Sequence, residues 1–202
     1  MSDIEVSGEG GPRVECVDLT RIDDDLALAI GGLLARVWPK AGKDASYRAR
    51  QLRAVGAEHT GLAVRAPRTF YVRADEAIVA AATIKPRDIR IEADPEPVSM
   101  TVMGLALVGS DPRQRGRGLG ALVVRAAFDT ITRGVAPACL FQTSHAVRPF
   151  YERLGACLVE NRVVNSLADD PSTNPFWDEI VMRFPSAGNW PHGTIDLRGP
   201  GY

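Results

Sequence analysis

One glycine-rich segment holds the residues of this sequence that are best suited to chemistry. It reads Gln-Arg-Gly-Arg-Gly-Leu-Gly over residues 114–120, between an apolar run at 103–108 and an amphipathic stretch at 121–128. The run is typical of a buried strand and the stretch of a helix, so the loop is expected to lead into a helix. At a helix start, backbone N–H groups lack partners and the peptide dipoles favour negative charge. Glycines let a diphosphate approach that main chain, so the segment predicts a pyrophosphate site.

Two other kinds of phosphate-binding loop fit this segment poorly. No Lys-Ser or Lys-Thr pair follows the glycines, as a nucleotide-hydrolase loop requires for its terminal phosphate and magnesium ion. The order Gly116-x-Gly118-x-Gly120 also differs from the G-x-G-x-x-G of dinucleotide-binding folds. A tight strand-to-helix connection would by itself select Gly118 and Gly120 for backbone freedom, so the surrounding sequence has to decide.

The segment resembles motif A of the GNAT superfamily of acyl-CoA-dependent N-acetyltransferases. Arg115, Gly118 and Gly120 match the pattern Arg/Gln-x-x-Gly-x-Gly/Ala of that motif. A second segment, Thr-Ser-His-Ala-Val-Arg-Pro-Phe-Tyr-Glu-Arg-Leu-Gly at 143–155, resembles motif B, in which a Phe-Tyr pair precedes a Leu-Gly turn. Two motifs in the expected order make a chance match improbable.

This resemblance implies an α/β (α+β) fold of the GNAT type, a mixed central sheet with splayed central strands flanked by helices. One predicted helix, 119–133, and one predicted strand, 138–143, fill the interval between the motifs, as a parallel crossover requires. The implied co-substrate is acetyl-CoA or another acyl-CoA, with no metal. The residues implied in binding it are Leu107, Val108 and Gly109 for the thioester side, Arg115, Gly116, Arg117, Gly118, Leu119 and Gly120 for the pyrophosphate, and Thr143.

Acyl transfer to an amine needs a neutral amine, a polarised thioester carbonyl and a proton donor for the leaving thiolate. Tyr151 aligns with the tyrosine that commonly faces the coenzyme sulfur in this superfamily. A phenol can donate a proton to a thiolate of slightly lower proton affinity. The alternative is that Tyr151 only packs beside Phe150 in the core.

The resemblance does not identify the base that would take the proton from the amine. Many relatives have a glutamate on the motif A strand where this chain has Ala106. His145, at the end of the motif B strand, is the first substitute because histidine titrates near neutral pH, although it could equally cap the following helix. The amine could also arrive neutral. Loop carboxylates acting through water are further alternatives, namely Asp169, Asp170, Asp178 and Glu179.

The end of the sequence resembles the rhizobial nodulation N-acyltransferases, which have a Trp-Pro-x-Gly-Thr segment and a final Asp-x-x-Gly-Pro. Here the matching residues are 190–194 and 196–200, and the likeness extends from Met100 onward. That family acylates an amino sugar, and the aminoglycoside N-acetyltransferases share the general layout. The acceptor is therefore expected to be a small-molecule amine. The stiff, aromatic tail at about 185–202 is expected to fold over the body, either across the acceptor cleft or as a structural strap.

Three functions follow from these patterns. The leading one is an N-acetyltransferase that uses acetyl-CoA and acts on an aminoglycoside or related aminosugar. A second uses a longer acyl donor, and a third is a regulatory module that binds acyl-CoA without turnover, as Ala106 in place of a carboxylate would suggest. A protein or peptide amine is a further possible acceptor.

Composition sets the remaining expectations. With 202 residues, 45% of them hydrophobic, the chain can form a single domain, expected over residues 12–202 after a flexible tail at 1–11. A net charge of -1 gives no reason to expect a nucleic acid or membrane partner, and a homodimer is an open expectation. The first residues lack a secretion signal, which predicts a cytoplasmic protein. The three cysteines, Cys16, Cys139 and Cys157, are expected to be buried thiols.

Hydrophobic periodicity and turn residues also predict individual elements. They are strands at 13–18, 69–72, 77–84, 88–92, 158–165 and 180–184, a helix from 26 to 38 capped by Asp23, Asp24 and Asp25, and a helix at 45–55.

Overall fold

The computed structural model describes residues 11–178 and 180–202, so the tail predicted at 1–11 lies outside the described residues except for Gly11. The described residues form nine strands and four α-helices. They are β1 (Val14–Asp18), α1 (Asp24–Val37), α2 (Ala45–Ala57), β2 (Arg68–Ala74), β3 (Ala77–Glu92), β4 (Val98–Ser110), α3 (Leu119–Thr132), β5 (Cys139–Thr143), α4 (Arg148–Glu152), β6 (Cys157–Leu158), β7 (Val163–Val164), β8 (Ile180–Phe184) and β9 (Thr194–Asp196).

The chain divides into two compact units that are interleaved in sequence. Unit 1 comprises the described part of Met1–Ile84 together with Leu107–Ala127. Unit 2 comprises Lys85–Ala106 together with Phe128–Tyr202. The strands β3 and β4 and the helix α3 therefore each contribute residues to both units.

Unit 1 combines an antiparallel sheet with two helices. β1 pairs with β2, and β2 pairs with the first half of β3, so that Arg68 lies opposite Ile84. The carboxylate of Asp23 accepts a hydrogen bond of 2.8 Å from the N–H of Leu26, which caps α1 at its start as predicted. The core consists of apolar residues from both helices and the sheet, among them Ile30, Leu33, Leu34, Leu52, Tyr71 and Ile78.

Unit 2 contains strands that pair in both directions. β4 is parallel to β5, β5 is antiparallel to β8, and β8 is antiparallel to β6. β9 is antiparallel to the second half of β3 and parallel to β7. The predicted mixed sheet with flanking helices is confirmed.

The pairing between β4 and β5 is short, although both strands are longer. Only Met103 and Gly104 of β4 lie opposite Cys139 and Leu140 of β5. β8, in contrast, pairs with every residue of β5 from Cys139 to Thr143. The two central parallel strands therefore part after Gly104, as the predicted splayed strands require.

Two predictions of separate strands are wrong. The strand expected at 88–92 is the second half of β3, which continues through Pro86 because β9 pairs with Arg90–Glu92. The strand expected at 158–165 is replaced by the short strands β6 and β7. Between them, the side chain of Asn161 donates to the carbonyl oxygens of Pro191 and Gly193, so this segment bonds to the tail instead of extending a strand.

The prediction that the three cysteines are buried is wrong for two of them. Cys139 is fully buried in β5, whereas Cys157 is half-buried and Cys16 is exposed. Cys16 is the outward-facing residue in the middle of β1, where the strand alternation places it on the solvent side.

Candidate functional site

The glycine-rich loop of unit 1 has a backbone that glycine adopts without strain. Gly116 has φ of +80° and Gly118 has φ of +75°, a region that other residues rarely enter. Both glycines are exposed, and a Cβ atom at either would meet no atom within 4 Å. Backbone conformation, and not crowding within the protein, therefore accounts for glycine at both positions.

The loop leads directly into α3, as predicted. The helix begins at Leu119, and the N–H of Leu122 donates to the carbonyl oxygen of Gly118 at 3.1 Å. The N–H groups ahead of Leu122 have no acceptor inside a helix, and the helix dipole is positive at this end. Gly118, Leu119 and Gly120 thus form a helix start that suits an anion.

Two arginines flank these glycines on the surface. Arg115 and Arg117 are both exposed, and the guanidinium of Arg117 donates to the side-chain oxygen of Gln114. Their charges add to the positive potential at the start of α3, and their exposed side chains leave the start of the helix accessible from solvent.

Asp111, which the sequence analysis missed, fixes the start of this loop. Its carboxylate accepts from the N–H of Arg113 at 2.9 Å and pairs with Nε of Arg36 on α1 at 3.0 Å. Its own N–H donates to the carbonyl oxygen of Val79 at 2.8 Å. The hydrogen bond from Arg113 and the guanidinium of Arg36 hold the pKa of this carboxyl below its usual range. An Asp-Pro pair is a turn signal, but the pairing with Arg36 cannot be read from the sequence.

The part of β4 that the resemblance assigned to the thioester has an irregular backbone. Leu107 has φ of +54°, which is rare for a residue that is not glycine and costs about 1–3 kcal/mol. At Gly109, a Cβ atom would lie 3.1 Å from Cγ1 of Val37 on α1, so this glycine permits close packing. Val108 lies half-buried between them. Strain of this kind clusters at functional sites, and the thioester role of this segment stays a prediction.

Tyr151, the predicted proton donor, is a buried residue of α4 in unit 2. Its ring centroid lies 4.6 Å from that of Phe141 and 4.9 Å from that of Phe150. Burial raises the pKa of the phenol above its usual value, with smaller contributions from Cys139 and Asp178. The ring therefore packs in the core, as the alternative predicted, and the hydroxyl also keeps its proton at neutral pH.

The other motif B residues follow the end of β5. Thr143 is buried and lies opposite Ile180 of β8. His145 is exposed in the turn between β5 and α4. The N-cap position of α4 is Val147 and not His145.

A carboxamide on β5, that of Gln142, holds the loop before β8. Its oxygen accepts from the N–H of Trp177 at 2.9 Å and from the N–H of Asp178 at 3.1 Å. Its nitrogen donates to the carbonyl oxygen of Tyr202 at 3.3 Å. Sequence reasoning missed Gln142, because no pattern links it to partners 35 and 60 residues away.

The loop carboxylates considered as bases differ in their exposure and in what holds them. Asp178 is half-buried and its backbone is tied to β5 through Gln142. Asp169 is exposed, and the carboxylate of Asp170 accepts from the hydroxyls of Ser172 and Thr173 within its own loop. Glu179 lies outside the described residues. Asp178 is thus the one described loop carboxylate held beside motif B.

Solved structures similar to this chain share one fold. No family model matches the chain, and no curated protein matches its sequence. A GNAT family N-acetyltransferase from Escherichia coli, YhbS in complex with CoA, is 18% identical with a TM-score of 0.59, over 96% of this chain and 93% of that one. An acyl-CoA N-acyltransferase from Pseudomonas aeruginosa is 16% identical with a TM-score of 0.54, over 86% and 99%.

The chain has the GNAT fold. The predicted fold class is therefore confirmed. A conserved protein of unknown function from Enterococcus faecalis is 14% identical with a TM-score of 0.52 over 72% of this chain, and the chain spans only 32% of its length.

The tail adds a strand and an aromatic anchor to unit 2 of this GNAT fold. Ile195 of β9 and Leu197 are fully buried, which agrees with the structural strap among the two predicted roles. The ring of Tyr202 lies where a Cβ atom of Gly104 would be, and its hydroxyl has no hydrogen-bond partner among the described residues. Gly104 is therefore required at the point where β4 and β5 part.

A cavity of about 420 Å³ opens elsewhere in unit 2 of the GNAT fold, lined by residues of β6, β7 and β8. None of the sequence-predicted site residues lines it. In the described part of the chain, no cluster of three or more His, Cys, Asp and Glu side chains is arranged to hold a metal ion. No helix among residues 11–178 and 180–202 has the length and apolar character that a membrane span needs.

Proposed function

We propose that this protein is an acyl-CoA-dependent N-acyltransferase, which transfers acetyl from acetyl-CoA to a primary amine of a small molecule. The glycine loop at the start of α3 is the observation that carries the proposal, because it combines left-handed glycines, exposed arginines and a helix N-terminus. Such a site suits the pyrophosphate of coenzyme A. YhbS, which shares this fold, was solved in complex with CoA, and this supports the same ligand here.

The remaining cofactor contacts follow from the same assignment. N–H groups of Gly116, Gly118 and Gly120 would face the pyrophosphate, and the side chains of Arg115 and Arg117 would add charge to them. Leu107, Val108 and Gly109 would present backbone groups to the thioester side, where the strained φ of Leu107 breaks the regular strand. Leu119 is buried and would support the glycine loop from within, and Thr143, which is buried at the end of β5, keeps the role that the resemblance implies.

The reaction forms an amide bond and breaks a thioester bond. The amine nitrogen attacks the acetyl carbonyl carbon, and the sulfur of coenzyme A leaves with the bonding electron pair. Tyr151 would donate its proton to that sulfur; burial raises the pKa of this phenol, so it is protonated at neutral pH but is a weaker acid than a free phenol. The nitrogen loses one proton in exchange, and His145, in the turn after β5, is the first candidate to accept it.

An aminoglycoside or related aminosugar is the proposed acceptor class. The resemblance of residues 190–200 to the nodulation acyltransferases supports it, since those enzymes acylate an amino sugar. The same resemblance supports a longer acyl donor as a second candidate.

A thiol-release screen tests the proposal. Acetyl-CoA is incubated with the protein and with aminoglycosides, amino acids or polyamines, and free coenzyme A is measured. We expect amine-dependent release with at least one small-molecule amine. Tight binding of acetyl-CoA without release for any amine would instead support a non-catalytic binding module.

A further inference from the structure

We propose that Trp177 and Asp178 form the docking subsite for the amine acceptor and that Gln142 is the residue that positions them. This inference rests on the proposed acyltransferase function and assigns the acceptor side of it. All three residues belong to unit 2.

The backbone of this subsite is fixed although it belongs to no strand. The oxygen of Gln142 accepts from two consecutive N–H groups, those of Trp177 and Asp178, at 2.9 and 3.1 Å. The nitrogen of the same carboxamide donates to Tyr202. The side chain of Gln142 thus accepts from two backbone N–H groups of the loop, which in a strand would donate to a neighbouring strand. The side chains of residues 177 and 178 are therefore presented from a defined position beside motif B.

The two aromatic residues of the loop lie in opposite environments. Phe176 is buried and its ring meets that of Tyr202 edge to face, with centroids 5.3 Å apart. The side chain of Trp177 is 73% exposed. Burial of Phe176 anchors the loop, so exposure of Trp177 is not a result of a loose segment. An exposed indole on a fixed backbone offers a surface for an apolar or ring-bearing ligand, and it attracts a cation over its face.

Asp178 supplies the charge that an amine acceptor needs. Its side chain is half-buried, and no described residue forms a salt bridge with it. It is also close enough to Tyr151 to contribute to the raised pKa of that phenol, after the effect of burial. A carboxylate near the proposed proton donor would attract an ammonium group to the reacting end of the acceptor.

The two side chains together define the acceptor class. It is a primary amine attached to a ring or to a flat apolar face, which would lie on the indole while the amine lies at the carboxylate. An anionic group next to the amine would be repelled by Asp178. Aminosugars meet both conditions, whereas α-amino acids fail the second.

The test uses the amine that the wild-type protein acetylates fastest in the thiol-release screen. Trp177→Ala and Asp178→Asn are each expected to raise KM for that amine about tenfold, equivalent to about 1.4 kcal/mol. Calorimetric affinity for acetyl-CoA is expected to stay within about twofold of wild type, because neither residue belongs to the glycine loop. Since Trp177 is exposed, its truncation leaves the fold intact, which thermal melting checks.

Matched controls come from exposed residues of unit 2 outside the proposed subsite. Leu167→Ala removes a side chain that is 71% exposed, and Glu160→Gln removes an exposed carboxylate between β6 and β7, and neither should change KM for the amine. Gln142→Leu should raise KM for the amine. Gln142→Glu keeps the oxygen that accepts from the loop but loses the N–H that donates to Tyr202, so its KM should lie between those of wild type and Gln142→Leu. A merely structural glutamine would not separate the KM for the amine from the affinity for acetyl-CoA.

The outcomes separate this inference from the proposal beneath it. Wild-type turnover with unchanged KM in both Trp177→Ala and Asp178→Asn would overturn the docking subsite alone. An α-amino acid as the fastest acceptor would also count against it. A wild-type protein that releases no thiol with any amine would overturn the acyltransferase proposal and the subsite together.

Discussion

Tyr151, the proposed proton donor, is a buried phenol packed between two aromatic rings. Packing against Phe141 and Phe150 removes water from the phenol, and this raises the pKa by penalising the phenolate. The phenol is therefore protonated at neutral pH, and it is a weaker acid than a free phenol. The same contacts hold the ring in one orientation, which a positioned general acid requires.

Replacing Tyr151 with phenylalanine should leave the packing and remove the proton. We expect kcat to fall by about 100-fold, as is typical when a general acid is lost, with little change in acetyl-CoA affinity. Steady-state kinetics and calorimetry measure the two effects separately. The raised pKa also predicts that wild-type kcat shows no loss from tyrosine ionisation up to about pH 10, the pKa of a free phenol. Wild-type turnover by Tyr151→Phe would remove the assignment.

Asp111 links the glycine loop to α1 through Arg36, so replacing it should destabilise the fold. Asp111→Ala leaves Nε of Arg36 and the N–H of Arg113 without their acceptor, while Nη2 of Arg36 keeps the carbonyl oxygen of Ile78, so the free energy of unfolding should fall by about 1–3 kcal/mol. As a control, Asp24→Ala breaks an exposed ion pair with Arg53 and should cost less than about 1 kcal/mol.

The pH dependence of this loss has a defined sign. The pKa of Asp111 is lower in the folded protein than in the unfolded chain, so its stabilisation is present above about pH 4 and is lost as the pH falls through the folded value. Denaturant titrations should therefore show the difference between wild type and Asp111→Ala shrinking below about pH 4. A difference that grows with acid would contradict this role.

At the scale of elements, the loop between β4 and α3 depends on two left-handed glycines. Gly118→Val would place a β-branched residue at φ of +75°, which costs roughly 1–2 kcal/mol and shifts the N–H groups at the helix start. We expect the affinity for acetyl-CoA to fall by about tenfold, measured by calorimetry.

Asparagine provides the matched control at this position, because it tolerates the left-handed region better than valine. Gly118→Asn should therefore lose less affinity than Gly118→Val. Equal losses would mean that the side chain meets the coenzyme itself, and unchanged affinity in both variants would refute the phosphate cradle.

Elements with strong local patterns were predictable, and those made by distant partners were not. The Asp23 cap, the strand β2 and the loop into α3 each depend on neighbouring residues, and their predictions are confirmed. β9 has three residues and exists because β3 and β7 pair with it, so its sequence alone carries little signal.

The residues of the candidate site divide in the same way, into those that belong to local motifs and those that depend on distant partners. The glycines and Tyr151 belong to motifs of fixed spacing and were found from the sequence. Asp111 and Gln142 act through partners 75 and 35 residues away, a pairing that only the folded chain shows. Leu107 lies in an apolar run typical of a strand, so the sequence does not predict its positive φ, which is set by the surrounding structure.

At the scale of the whole molecule, the tail is a part of the fold and not an appendage. β9 pairs with β3 and β7, and Tyr202 packs against Gly104 and Phe176 in unit 2. Ile195 is fully buried in the core that these elements share. Stability of unit 2 should therefore depend on residues near the end of the sequence.

Ile195→Ala tests this dependence. Truncating a fully buried isoleucine should lower the free energy of unfolding by roughly 2–5 kcal/mol, through lost burial and the cavity that remains. Thr194→Ala, in the same strand but half-buried, should cost less than about 1 kcal/mol. Similar small effects of both substitutions in urea denaturation would show that the tail contributes little to the core.

The glycine loop at the start of α3 is the proposed site for the pyrophosphate of acyl-CoA, and every other functional role depends on it. Calorimetric titration of acetyl-CoA into the wild-type protein is the decisive experiment. We expect saturable binding of one acetyl-CoA per chain, weakened in Gly118→Val. Absence of binding to a folded wild-type protein, or equal affinity in Gly118→Val, would contradict the assignment.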